Sequence, residues 1–360
     1  MATQLLTGFP GFIGKRLAAR LLEADADASL VALVEPRMVD AAAAAAAELD
    51  SERIEIVPGD IAEPRLGLTE GEHDRLAGQV VRLFHLAAIY DLAVPLEIAQ
   101  KVNVEGTGNV LDFCARATSL ERLLYVSTAY VAGVRTGVVY EHELAMGQEF
   151  KNHYESTKFQ AEVWAREMLD RVPTTIVRPA IVVGDSKTGE TQKFDGPYFI
   201  LRTIAEAERA GRAVVQFGRA DAAFNAVPVD FIVDAIAAAA GSAAAEGQTL
   251  HLVDPEPLSA AELTETLSME YAGRSPKGRV PPRVAAASLR VPAVRRRLGG
   301  TPPESLVYMN HPVRFDTRRA TEILEPLGVS VPSFRDYAGA MVRFFREHED
   351  DPAMVPGYKV

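Results

Sequence analysis

Short apolar runs alternate with longer segments of helical periodicity through the first half of the chain. The runs with the length and composition of buried strands lie at residues 4–6, 29–34, 54–57, 80–86, 123–127 and 174–178. The segments between them that favour helix lie at residues 12–24, 41–49, 94–117 and 154–170. Strands that alternate with helices are typical of a parallel sheet covered on both faces. The predicted fold class is therefore α/β, with a doubly wound parallel sheet.

The second half of the chain has a different composition. Clusters of Gly, Pro and charged residues lie at 184–197, 254–257, 274–282 and 299–303. We therefore predict one domain over residues 1–183 and a smaller one mainly over residues 184–360, with residues 222–245 returning to the first. Within the second half, Ser259 and Glu262 have the spacing of a capping box, and residues 331–349 have the pattern of a last amphipathic helix.

Charge and composition narrow the class of protein. The 360 residues include 49 acidic and 38 basic ones, a formal charge of −11, which argues against a nucleic-acid partner. The single Cys114 cannot form an internal disulfide, and the seven histidines lack the spacing of metal ligands. No apolar run approaches the roughly 18 residues that span a bilayer, and no leader pattern is found. We expect a cytoplasmic protein with no metal and no membrane span.

A glycine-rich loop follows the first predicted strand and precedes the first helix. Gly8, Gly11 and Gly14 have the Gly-x-x-Gly-x-x-Gly spacing, with Pro10, Phe12 and Ile13 between them. Glycines at these positions permit a tight turn and let the backbone approach a pyrophosphate at the helix N-terminus. A purely structural turn is the alternative, but the position between strand and helix favours dinucleotide binding. The sheet is accordingly predicted to be of the Rossmann type, with the smaller domain binding substrate.

Two charged residues give conflicting indications about the coenzyme. Glu35 ends the second predicted strand, where an acid commonly holds the adenosine ribose hydroxyls of NAD(H). Arg37 follows two residues later, and a guanidinium there can pair with the 2′-phosphate of NADP(H). An exposed charged loop is the alternative for Arg37. We therefore predict NAD(H) or NADP(H) without choosing between them.

Tyr154 and Lys158 are four residues apart at the start of a predicted helix, so their side chains share one face. A nearby ammonium is expected to favour the ionised phenol, which makes the tyrosine usable as a general acid/base. Thr128, at the end of a preceding strand, can donate a hydrogen bond to a substrate carbonyl. The alternative is an exposed tyrosine with a solvated lysine. The position of the pair after this strand favours catalysis, and we predict Thr128, Tyr154 and Lys158 as catalytic residues.

Further motifs, taken together with those above, make the chain similar to a known family over roughly residues 3–255. They are His-Leu-Ala-Ala-Ile-Tyr-Asp at 85–91, Asn-Val-Glu-Gly-Thr at 103–107, Val-Ser-Thr-Ala-Tyr-Val at 126–131, Arg-Pro at 178–179 and Val-Pro-Val-Asp at 227–230, with Asp60-Ile61. The set resembles the extended short-chain dehydrogenases/reductases of the NAD-dependent epimerase/dehydratase superfamily. Within them it resembles the fatty acyl-CoA reductase and thioester reductase (male sterility) branch.

The resemblance implies further site residues. It places Asp60 and Ile61 against the adenine, Ala87 and Ala88 along the cofactor, and Asn103 beside the proton-relay region. Pro179, in the Arg-Pro motif, is added to the cofactor-binding set, and the Thr128, Tyr154 and Lys158 triad is also implied. Glu35 departs from the branch, which often has an arginine at this position for NADP(H), so the resemblance does not decide the coenzyme.

Three functions remain to be weighed. The leading one is hydride transfer to the carbonyl of an acyl thioester or fatty aldehyde, which is small or carrier-bound. A hydroxysteroid-type or ketoacyl dehydrogenase, or a nucleotide-sugar epimerase, would use the same triad. A non-catalytic dinucleotide sensor is disfavoured because both Tyr154 and Lys158 are present. The chain length of the substrate, the extent of reduction and homodimer formation are left open.

A basic stretch at residues 290–297 offers one candidate partner surface. Its arginines could contact an acidic carrier protein, the phosphates of coenzyme A or a membrane surface. A solvated helix face is the more frequent role of such a charge run, and we favour that interpretation.

Overall fold

The computed structural model describes residues 3–90, 94–217, 219–280, 284, 308 and 310–355. Its strands, in chain order, are β1 (Thr3–Thr7), β2 (Ser29–Val34), β3 (Ile54–Pro58), β4 (Val80–His85), β5 (Arg122–Val126), β6 (Gly137–Val139), β7 (Thr174–Pro179), β8 (Ile181–Val183), β9 (Gln216–Phe217), β10 (Ala226–Pro228), β11 (Thr249–Leu252), β12 (Arg279–Val280) and β13 (Val313–Phe315). Seven of them form one parallel sheet in the order β11-β7-β5-β4-β1-β2-β3. This confirms the predicted doubly wound α/β fold.

Helices cover both faces of the sheet, and others pack together in the second half of the chain. They are α1 (Phe12–Ala24), α2 (Val39–Leu49), α3 (Glu70–Gln79), α4 (Leu96–Ala99), α5 (Gly106–Arg116), α6 (His153–Glu167), α7 (Tyr198–Arg209), α8 (Val229–Gly241), α9 (Ala260–Ala272), α10 (Arg318–Leu324) and α11 (Phe334–His348). The helix predicted at 94–117 is divided, because a π-helical stretch, Gln100–Glu105, lies between α4 and α5. A π-helical turn inside a helix changes the direction of its side chains and is frequent near functional sites.

Successive side chains of each strand point to opposite faces of the sheet, and this divides the core into two layers. In β1, Leu6 packs into a cluster with side chains of α1, α2 and α8, whereas its neighbour Leu5 packs into a second cluster with side chains of α3, α5 and α6. Successive side chains of a strand point to opposite faces, so each face of the sheet needs its own apolar cover. Cys114 lies in the second cluster, where burial raises the pKa of its thiol. It is a core residue.

The order of the strands locates the ligand-binding edge. β1 has β2 and β3 on one side and β4, β5, β7 and β11 on the other, so the direction of winding reverses at β1. In sheets of this kind, ligands bind outside the carboxyl ends of the strands at the point of reversal. The glycine loop after β1 and the residues after β4 and β5 lie at this edge.

The second half of the chain forms a smaller apolar cluster of its own and also adds side chains to the first layer of the core. Helices α7, α9 and α11 enclose a third cluster, which includes Leu201, Leu263 and Met341. Ser259 and Glu262 form the predicted capping box of α9, and α11 lies within the predicted segment 331–349. Helix α8 packs against α1 in the first layer of the core. The return of residues 222–245 to the first domain stays a proposal. The division at residue 183 stays a proposal.

Among the residues described, no helix combines the length and apolarity that crossing a bilayer requires. The basic stretch at 290–297 lies outside the described residues.

Candidate active site

The glycine loop leaves no room for side chains at its glycines. Gly8 has a φ of +90°, and a Cβ there would lie 2.9 Å from the backbone N of Ala87. A Cβ on Gly14 would lie 2.4 Å from the carbonyl oxygen of Gly8. Helix α1 begins at Phe12, within the glycine motif, and has no side-chain cap, so its first N–H groups are available to an anionic ligand. The backbone therefore forms a cradle that suits the pyrophosphate of a dinucleotide.

A cavity of about 550 Å³ extends from this loop past the ends of β4 and β5 to the second half of the chain. The predicted site residues that line it are Gly8, Gly11, Phe12, Ile13, Gly14, Ala87, Ala88, Thr128, Tyr154, Lys158 and Pro179. The fold thus brings the two main motifs, about 140 residues apart in sequence, into one cavity. Predicted residues that are not in its lining are Pro10, Glu35, Arg37, Asp60, Ile61 and Asn103.

Four of those residues lie beside the cavity, after β2 and β3. The side chains of Glu35 and Arg37 form an ion pair, with 2.6 Å between the carboxylate Oε1 and the guanidinium Nε. Asp60 accepts a hydrogen bond from the backbone N of Ala62 at 2.8 Å, and Ile61 is buried. Because β2 and β3 lie beside β1, these positions continue the carboxyl edge of the sheet outward from the glycine loop. Pro10 lies within the loop itself.

Tyr154 lies in the first turn of α6 and is oriented by its neighbours. The side chain of Asn152 caps this helix by accepting a hydrogen bond from the backbone N of Glu155 at 2.9 Å. The ring of Tyr90 stands edge-on to that of Tyr154, with 5.1 Å between centroids. Burial raises the pKa of Tyr154, and a side-chain hydrogen bond with Thr128 acts in the opposite direction. At neutral pH the phenol is therefore protonated.

Lys158 lies one turn further along α6 and is 2 % exposed. Its Nζ donates a hydrogen bond to the carbonyl oxygen of Val126 at 2.9 Å and lies 4.5 Å from the ring centroid of Tyr125. Burial lowers the pKa of Lys158 to about 7, while the carboxylate of Glu162 acts to raise it. Burial, Thr128 and Glu155 are the causes of the shift in the pKa of Tyr154, and the expectation that the Lys158 ammonium favours the phenolate stays a prediction.

A buried ion pair between Glu162 and Arg178 lies one turn of α6 beyond Lys158, and it was not predicted from the sequence. Glu162 is fully buried on the same face of α6 and accepts hydrogen bonds from Arg178 at 2.6 Å and from the hydroxyl of Ser127 at 2.6 Å. Arg166 adds a hydrogen bond to the same carboxylate at 3.1 Å. The one available signal was the four-residue spacing from Lys158, since Arg178 belongs to β7 and meets Glu162 only in the fold.

Hydrogen bonds of the Asn103 side chain link the loop after β4 to α6. Its side chain accepts a hydrogen bond from the backbone N of Ile89 at 2.8 Å and donates to the hydroxyl of Thr157 at 3.1 Å. The residue is fully buried in the π-helical stretch, outside the cavity lining. Its geometry is that of a positioning residue for the helix that carries Tyr154 and Lys158.

The far part of the cavity was also missed, because no motif identifies it. Its lining comes mainly from the second half of the chain: Ile181, Val182, Thr191, Gln192, Lys193, Asp195, Gly196, Phe199, Ile200, Thr203, Ile204, Val214, Val215, Phe224, Thr264 and Tyr308. Eight of these sixteen residues have apolar side chains, and the surface of the cavity as a whole is more apolar than polar. The cavity therefore combines a polar end, where the candidate catalytic residues lie, with an apolar chamber suited to a hydrocarbon chain.

Comparison with known proteins agrees with this geometry. The sequence profile of the NAD-binding family described as male sterility protein matches residues 6–236. Over 270 residues the chain is 30% identical to a linear gramicidin synthase of Brevibacillus parabrevis, covering 70% of this chain and 5% of that protein. It is 26% identical to the fatty acyl-CoA reductase wat of Drosophila melanogaster, covering 65% of this chain and 53% of that one. The chain thus spans less than two thirds of the length of these relatives.

A solved structure extends the likeness to nearly the whole chain. The terminal R domain from the myxalamid PKS-NRPS biosynthetic pathway superimposes with a TM-score of 0.79 at 26% sequence identity. The match covers 98% of this chain and 92% of that domain. The similarity therefore includes the part of the chain beyond residue 255, to which the resemblance found in the sequence did not extend.

The glycine cradle yields a direct prediction. Gly14→Ala should weaken dinucleotide binding by roughly tenfold or more, about 1.4 kcal/mol, because its Cβ would displace the loop. Coenzyme affinity is measured by nicotinamide fluorescence, and thermal unfolding checks that the variant is folded. The control is Gly71→Ala in α3, where a Cβ meets nothing within 4 Å and affinity should be unchanged. Unchanged affinity in Gly14→Ala would remove the loop from the binding site.

Proposed function

This chain belongs to the male sterility protein family, and we propose that it transfers a hydride from NAD(H) or NADP(H) to the carbonyl of an acyl thioester. It is an NAD(P)-dependent oxidoreductase of the extended short-chain dehydrogenase/reductase type. The proposed substrate is carried on a pantetheine-type thiol, and the fatty aldehyde formed from it is a second substrate. Likeness to a fatty acyl-CoA reductase and to a terminal R domain supports an activated acyl group.

One observation carries the proposal. Thr128, Tyr154 and Lys158 line the same cavity as the glycine loop, and that cavity continues into an apolar chamber. A dinucleotide whose pyrophosphate lies on the loop would direct its nicotinamide toward Tyr154, since both lie along the same carboxyl edge of the sheet. An acyl chain in the chamber would place its thioester carbonyl between the two.

The residues around the cofactor can be assigned by position. The loop at Gly8–Gly14, with Pro10, Phe12 and Ile13, would hold the pyrophosphate, and Glu35 with Arg37 would face the adenosine ribose. Asp60 and Ile61 would lie toward the adenine, and Ala87, Ala88 and Pro179 along the nicotinamide half. When bound, the coenzyme supplies the hydride.

The chain itself supplies the proton and orients the carbonyl. Thr128 would donate a hydrogen bond to the carbonyl oxygen, and Tyr154 would transfer its phenolic proton to that oxygen as negative charge develops. Burial keeps Tyr154 protonated, which is the state that reduction requires. Lys158, fixed by the carbonyl of Val126, would hold the nicotinamide ribose and stabilise the phenolate left behind. Asn103 would keep the first turns of α6 in place.

A substrate panel tests the proposal. Acyl-pantetheines, aldehydes and ketones are assayed separately with NADH and NADPH. We expect oxidation of coenzyme with thioesters, accompanied by release of one thiol for each acyl group reduced. Turnover of a ketone alone would assign the protein to the hydroxysteroid or ketoacyl dehydrogenases. Binding of sugar nucleotides with tightly retained oxidised coenzyme would assign it to the epimerases.

Tyr154→Phe separates chemistry from binding. The substitution removes the proton donor and leaves the ring, so turnover should fall by roughly a hundredfold or more while dinucleotide affinity stays nearly unchanged. Steady-state kinetics on the best thioester and coenzyme titration give the two quantities. Turnover close to that of the unchanged protein would show that Tyr154 is not the proton donor.

Lys158→Ala is the comparison for that variant, and it should weaken both turnover and coenzyme binding. The ammonium of the unchanged protein is present below pH 7 and is lost as pH rises, because burial lowers its pKa to about 7. The value of kcat/KM should therefore decline as pH rises through about 7. In Lys158→Ala this decline should be absent near pH 7 and appear only at higher pH. A decline that persists at the same pH would show that another group causes it.

The Glu35–Arg37 ion pair predicts how coenzyme preference changes. Glu35→Ala should shift preference toward NADPH, since it removes repulsion of the 2′-phosphate and frees the guanidinium of Arg37. Arg37→Ala should shift it toward NADH. Each shift should be roughly fivefold, corresponding to about 1 kcal/mol for an exposed charge contact. The ratio of kcat/KM for the two coenzymes is the measurement, with Glu52→Ala as the exposed control. Equal ratios in all variants would exclude both residues from the ribose site.

A further inference from the structure

Among the described residues that line the apolar chamber, Asp195 has the one acidic side chain and Lys193, which is exposed, the one basic side chain. Asp195 lines the same cavity as Tyr154, next to Gly196 and the apolar side chains of Phe199 and Ile200. It lies just before α7, where its backbone carbonyl accepts a hydrogen bond from the backbone N of Tyr198 at 3.1 Å. The local backbone therefore fixes Asp195 at the chamber wall.

The side chain of Asp195 is half-buried, and few groups compensate its carboxylate for this partial removal from water. Among the described side chains, none donates a hydrogen bond to it. Burial raises the pKa of Asp195 to about 6, and the charge that opposes this rise belongs to Lys193, which is exposed. At neutral pH the side chain is still mostly ionised. A plain alkyl chain in the chamber would leave this anion further desolvated, whereas an ammonium group would compensate it.

On the basis of the proposed reduction of thioesters, we propose that Asp195 binds an ammonium group carried by the acyl substrate. The site then selects amino-substituted acyl chains over plain alkyl chains of equal length. The apolar side chains around the chamber accommodate the rest of the chain. The specificity of the enzyme would come from the Asp195 carboxylate, in a wall that otherwise contains apolar and neutral polar side chains and the exposed Lys193.

A structural role for Asp195 is the alternative. A carboxylate just before a helix is stabilised by the helix dipole, and α7 has no side-chain cap. Asp195→Asn separates the two roles, because it keeps the size and hydrogen-bonding capacity of the side chain and removes its charge. A structural role predicts a change in stability without a change in substrate preference.

Three pantetheine thioesters with the same six-carbon chain provide the test: hexanoyl, 2-aminohexanoyl and 6-aminohexanoyl. In the unchanged protein, kcat/KM for at least one amino-substituted thioester should exceed that for the hexanoyl thioester by roughly tenfold, as expected of a charge-assisted contact. In Asp195→Asn the ratio should fall close to one while reduction of the hexanoyl thioester persists. Asp221→Asn, which removes the same charge from an exposed position beside Arg219, should keep the original ratio.

Two results would overturn the proposal: no preference for either amino-substituted thioester in the unchanged protein, or an unchanged preference in Asp195→Asn. If none of the thioesters is reduced, the proposed activity is wrong, and calorimetric binding of hexylamine and 1-hexanol to the coenzyme-bound protein decides the role of Asp195. Tighter binding of hexylamine that is lost in Asp195→Asn would support the ammonium site. Equal binding of the two probes would refute it.

Discussion

The ion pair between Glu162 and Arg178 is the interaction on which the catalytic region depends. Arg178 extends from β7 and donates hydrogen bonds to the Glu162 carboxylate, to the carbonyl oxygens of Glu141 and Glu143, and to the ring of His251 on β11. Removing one partner of such a pair leaves an uncompensated buried charge, which costs about 3–5 kcal/mol. The pair therefore fixes α6 against the sheet, and with it Tyr154 and Lys158.

The same pair shapes the electrostatics of the site. The Glu162 carboxylate favours the charged form of Lys158, whereas burial disfavours it, and the resulting pKa of about 7 lies within the physiological range. Tyr154 stays protonated because it is buried. A protonated phenol beside a lysine that titrates near neutrality is suited to donating a proton to a carbonyl and recovering it from solvent. This balance is consistent with an enzyme working in the direction of reduction.

The features that could be predicted from the sequence are those that depend on the spacing of residues within a short segment. Gly8, Gly11 and Gly14 mark the dinucleotide loop because each lies where a Cβ would collide with backbone, and the strand and helix around them confirm the fold. The Glu162–Arg178 pair could not be predicted, because its members meet through the packing of α6 on β7. Asp195 and the apolar chamber come from a part of the chain whose packing follows no short motif. The structure also pairs Glu35 with Arg37, an interaction that their separate indications did not include.

The central claim is that a hydride passes from the nicotinamide to the carbonyl carbon of an acyl thioester in this cavity. The most direct measurement follows deuterium from coenzyme deuterated at both C4 positions into the product of an acyl-pantetheine, by mass spectrometry. The account predicts one deuterium on the former carbonyl carbon if the aldehyde is released and two if the alcohol is formed. Product that carries no deuterium at this carbon would contradict it.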